Sequence, residues 1–194
     1  MSMSRLGLSL GLIGICALFR QTLEADPVKH VLLQLPFLAT SGYLFAIGLG
    51  VRNLRINKSI ANAFSLISVF VILFWMLPRY IDASLVNPMV EFAKFVSIPL
   101  FVGGSLAIGW EKSNPFLCGF LKANSLSMLG VLAFLYTYAP VRICNSYLVI
   151  DQERLGAAFL ITAIGLALAW AIPLFSPPPQ ETSFMKISNK KAVI

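Results

Sequence analysis

Apolar runs of about twenty residues, each closed by charge, proline or a short polar stretch, recur along nearly all of this 194-residue chain. That recurrence constrains the fold most, because a hydrocarbon layer roughly 30 Å thick is crossed by about 20 helical residues rising about 1.5 Å each. Lipid offers no hydrogen bonds to the backbone, so each run is expected to be a helix. Six candidate spans follow, at about Leu6–Phe19, Val31–Gly50, Ser59–Pro78, Pro88–Trp110, Phe116–Ala139 and Leu155–Phe175. The expected class is an all-α polytopic transmembrane bundle over residues 1–175, with a polar, proline-broken tail over 176–194.

The first run is the shortest, fourteen residues between Arg5 and Arg20, and both arginines can snorkel toward the interface. A cleaved signal peptide is the alternative and would leave five spans. The bulky Ile15 before Cys16 spoils a lipoprotein site, and no clear small-residue cleavage pattern follows, so a retained helix is expected.

Charge then orients the spans. With the N-terminus inside, one side collects nine basic and two acidic residues, while the other collects six of each. The basic excess places both termini in the cytoplasm of a cell whose inner (plasma) membrane holds the chain, with Arg52, Arg55 and Lys58 as the strongest anchor. The formal charge of +7 is thus read as membrane orientation, not nucleic-acid binding, since no basic stripe carries interleaved polar and aromatic partners. Lipid and other membrane subunits are the expected partners. Gly7 with Gly11, and Ala163, Ala167 and Ala171, have the small-residue spacing that lets helices approach, while Pro36 and Pro99 are expected to bend theirs.

The outer side carries the candidate functional residues. Arg79 with Asp82, Glu91 with Lys94, and Asp151 with Arg154 are each spaced i,i+3, so each pair would share a helix face. Arg142 lies in the polar stretch that leads to the last pair. Lys94 is expected one or two turns below the surface, where an unpaired charge costs several kcal/mol. A structural clasp between helix ends and a functional charged cluster both fit this pattern.

His30 is the single histidine, on the same side as Met76, Met89 and Cys144. Imidazole, thioether and thiol are donors suited to copper, although no two of them have a diagnostic spacing. A bis-histidine haem within the chain is excluded by count. Cys16, Cys118 and Cys144 form no C-x-x-C pair and no zinc pattern. No phosphate loop, zinc-protease, nucleophile-elbow or dinucleotide motif occurs, which argues against an enzyme of those classes.

The stretch His30-Val31-Leu32-Leu33-Gln34-Leu35-Pro36, followed by Trp75 to Asp82, resembles features of CtaG-like bacterial inner-membrane proteins, a group linked to cytochrome oxidase assembly and copper delivery. The resemblance covers about the middle half of the chain. It implies an accessory role near a respiratory copper enzyme and would carry over His30, Arg79 and Asp82, while one histidine is a departure that weighs against autonomous copper binding. The expected function is therefore a non-enzymatic accessory or assembly factor of a respiratory complex. A small transporter or channel, or a purely structural subunit, are the alternatives.

Overall fold

A computed structural model describes residues 3–138 and 146–175, and among these every regular element is helical. The elements are α1 (Met3–Leu18), α2 (Arg20–Glu24), α3 (Pro27–Gly48), α4 (Lys58–Trp75), α5 (Pro78–Val86), α6 (Pro88–Lys112), α7 (Pro115–Tyr138) and α8 (Val149–Phe175). Five of them, α3, α4, α6, α7 and α8, are long and apolar enough to cross a membrane, and α1 is a shorter apolar helix. The chain is a multi-pass α-helical membrane protein. Its periphery carries large apolar side chains such as Phe70, Leu100, Phe134, Ile161 and Leu168, as lipid contact requires.

Short polar residues set where the helices start. Asp26 accepts the Val28 amide at 2.8 Å, Asn57 that of Ile60 at 2.8 Å, and Asn87 that of Met89 at 2.9 Å, each satisfying an orphan donor of a first turn. Pro27 and Pro88 follow two of these caps, at a position where a missing N–H costs nothing. The last helix begins at Val149, whereas the sequence reading starts it at Leu155. Asp151, Glu153 and Arg154 belong to its opening turns, where a carboxylate is favoured by the helix dipole. Similarly, α4 closes at Trp75 because Pro78 opens α5.

Helices α3 and α6 form the centre, with α1, α4 and the α7–α8 pair around them. The core joins Val31, Leu35 and Leu38 of α3 to Ile98 and Val102 of α6, and to Leu132, Tyr136, Leu155 and Phe159 of the last two helices. The closest crossing is between α3 and α6. A Cβ on Gly42 would overlap the Pro99 carbonyl, and one on Gly103 would overlap the Ala39 carbonyl, so the two backbones touch only because both residues lack a side chain. At Gly7 and Gly11, by contrast, a Cβ would meet open space. The small residues that matter for approach are thus different from the pair that the spacing singles out.

Pro36 and Pro99 act on the same two helices. Each removes a backbone donor, and the helix widens to π-type turns over His30–Gln34 and Ile98–Gly104 instead of breaking. Helix α1 is part of the bundle: Ser9 donates to the Ser41 carbonyl at 2.8 Å with both residues buried, and Leu6 lies against Gly48.

Candidate functional site: a buried Lys94–Glu24 hub

Six residues into α6 from Pro88, hence about 9 Å along the axis, Lys94 turns its side chain into the bundle and is 1% exposed. Its ammonium has three hydrogens and three partners: Glu24 Oε1 at 2.7 Å, His30 Nε2 at 3.0 Å and Gln34 Oε1 at 3.1 Å. Glu24 closes α2, while His30 and Gln34 are the first and last residues of the π-type segment of α3. Gln34 Nε2 also donates to Glu24 Oε1 at 3.1 Å, so the carboxylate bridges the lysine and the amide.

The remaining ring nitrogen of the histidine fixes the direction of the bonds. Lys94 can only donate, so His30 Nε2 accepts and the proton resides on Nδ1. That Nδ1–H faces the Tyr147 hydroxyl at 3.0 Å, and the Tyr147 hydroxyl in turn donates to the Glu24 carbonyl at 2.7 Å. Four separate parts of the chain meet here: α2, α3, α6 and the segment entering α8. A positive and a negative charge cancel, the imidazole is neutral, and no buried side-chain nitrogen or oxygen among the described residues lacks a partner. Such closure is what makes a buried ion pair tolerable, since desolvation is offset only when the remaining polar atoms are also bonded.

A second tier lies nearer the surface. Arg20 Nη1 stands 2.8 Å from each carboxylate oxygen of Glu91, and Arg154 reaches Asp26 at 3.5 Å and Asp151 at 3.6 Å. Asp82 accepts the Ser146 amide at 3.2 Å, and Arg79 is exposed on α5. The structure therefore brings Glu91, Lys94, Asp151 and Arg154 to one end of the bundle but pairs them mainly across helices. Only Asp151 with Arg154 keeps the i,i+3 partnership. Glu91 bonds Arg20, and Lys94 bonds Glu24.

Of the metal candidates, Met76 packs against the core, Met89 is exposed, and Cys144 lies outside the described residues together with Arg142. Copper does not fit at His30 in this arrangement. One ring nitrogen carries the proton given to Tyr147, and the other offers its lone pair to an ammonium that would repel a cation. Among the described residues no three His, Cys, Asp or Glu side chains form a metal cage.

Glu24 and Tyr147 are the members that spacing within one helix does not reveal. A signal for Gln34 existed: it stands four residues from His30 inside an apolar run, so both polar groups share a face of a lipid-embedded helix. Tyr147→Phe is expected to leave the Glu24 carbonyl and the His30 N–H unpaired and to cost about 1–3 kcal/mol. Detergent-phase thermal unfolding of the purified variant checks it, and a melting temperature equal to wild type would remove Tyr147 from the hub. Comparison with known proteins returned no matching family model, no matching curated protein and no matching solved structure.

Proposed function

We propose that this chain is a non-enzymatic accessory or assembly factor of a respiratory membrane complex, as the CtaG-like resemblance of its middle half implies. It would reside in a bacterial inner membrane with both termini cytoplasmic and offer its partner the charged rim above the hub. The observation that supports this reading is the closure of the Lys94 network. All three Lys94 hydrogens and both His30 ring nitrogens are engaged within the chain, and toward the other end the interior is apolar residues such as Ile98 and Val102 with buried serines, Ser65 and Ser68 among them, that bond to one another or to carbonyls. A proton relay or ion path needs groups that exchange partners along a wetted route, whereas a closed hub holds helix ends, and the rim they carry, in one geometry.

Copper enters this reading only through the partner complex, because His30 is already committed within the chain. Mild-detergent purification is expected to retain oxidase subunits, and deletion of the gene is expected to lower oxidase activity. Arg79→Ala, at the rim, is expected to weaken co-purification while the melting temperature stays near wild type. Unchanged oxidase activity and metal loading in the deletion strain would end the proposal.

A further inference from the structure

The opposite end of the bundle, bearing Arg52, holds a feature that the hub does not explain. Helices α7 and α8 pack on each other along their length and meet the remainder through α4 and, at the hub end, through Arg154 with Asp26 and Tyr147 with His30. Away from that attachment an apolar cleft of about 300 Å³ separates them from α3, α4 and α6. Its walls include Val69 and Ile72 of α4, Val102 and Leu106 of α6, and Leu121 of α7. It runs from Trp110, at the end of α6, to Ile72, roughly 20 Å along α4 from Lys58.

Lys122 lines this cleft, about 10 Å along α7 from Pro115. Unlike Lys94 it has no carboxylate within salt-bridge distance among the described residues. Its ammonium stands over the Trp170 ring, 5.5 Å from the centroid, and Ser125 is the next polar residue of the lining on the same helix. Snorkelling to the interface, the ordinary course for a lysine near a helix end, would carry the ammonium out of the cleft. In the structure it is held at the cleft by the indole face. A cation at membrane depth, beside an elongated apolar slot flanked by Trp110 and Trp170, calls for a ligand with a phosphate at one end and a hydrocarbon chain at the other.

We infer that the cleft between α7–α8 and α4–α6 is a binding site for one anionic phospholipid, its acyl chain along Ile72, Val102 and Leu121 and its phosphate on Lys122. The probe is phosphatidylglycerol with brominated acyl chains, mixed into phosphatidylcholine nanodiscs holding the full chain. Quenching of tryptophan fluorescence reports the lipid at Trp110 and Trp170, since the third tryptophan, Trp75, is buried, and brominated phosphatidylcholine at the same fraction is the control for lipid that merely surrounds the bundle. Wild type is expected to prefer phosphatidylglycerol by about fivefold, the effect of one lysine near a lipid phosphate. Lys122→Gln is expected to abolish the preference and Lys122→Arg to keep it, with melting temperatures of all three measured in detergent. Ser125→Phe, which fills the cleft without adding a fluorophore and leaves Lys122 in place, is expected to lower quenching by both lipids. Equal quenching by the two lipids in wild type, or an undiminished preference in Lys122→Gln, overturns the site.

Discussion

Lys94→Met is expected to lose about 3–5 kcal/mol of stability, enough to leave little folded protein after purification. The substitution keeps length and apolar volume, so the loss comes from what remains behind. Glu24 becomes a carboxylate without its cation, and the Gln34 carbonyl and His30 Nε2 lose their donor. The check is the fraction eluting as a monodisperse peak in mild detergent, with unfolding followed in mixed micelles containing increasing dodecyl sulfate. Glu24→Gln with Lys94→Gln is the informative second variant, because both charges vanish while amide groups can still bond. It is expected to be more stable than Lys94→Met. Wild-type stability in Lys94→Met would show that the hub contributes nothing to the fold.

Gly42→Leu is expected to prevent assembly of α3 on α6. The first added carbon already overlaps a backbone carbonyl, which cannot rotate away as a side chain can, so the helices must separate along their whole contact. Overpacking in a core commonly costs about 1–3 kcal/mol, and a backbone-to-backbone contact belongs at or beyond the upper end of that range. Gly103→Leu is expected to behave alike from the other side of the crossing. Gly11→Leu, where a Cβ meets nothing, is the control and is expected to be silent in the same unfolding assay. A folded, wild-type-like Gly42→Leu protein would contradict the close approach of the two helices.

The two variants also mark what a single sequence discloses. The helical class and five of the six expected spans were legible because run length and hydropathy are local properties, summed over neighbouring residues, while the first run forms a shorter apolar helix. The candidate charges at one end were legible too, since they interrupt apolar runs at helix ends. Their partners were not. Lys94 and Glu24 are separated by 70 positions, and Tyr147 and His30 by 117, so the bonds depend on which helices become neighbours. Spacing within α6 favours Glu91 as the partner of Lys94, yet Arg20 takes Glu91 and leaves Lys94 to Glu24. The glycine pairs differ for the same reason. Gly7 with Gly11 satisfies a local pattern, whereas Gly42 with Gly103 is close-packed only because α3 and α6 cross there.

The Ser9, Arg20 and Glu24 contacts make the N-terminal portion more than an anchor. A chain made from its N-terminus contains Glu24 before residue 94 is synthesised. When α6 is made, the counter-ion of its lysine is therefore already part of the chain. The early helices act as an internal escort for a later one, and α6 made alone would have to hold that ammonium at the interface by its own reach.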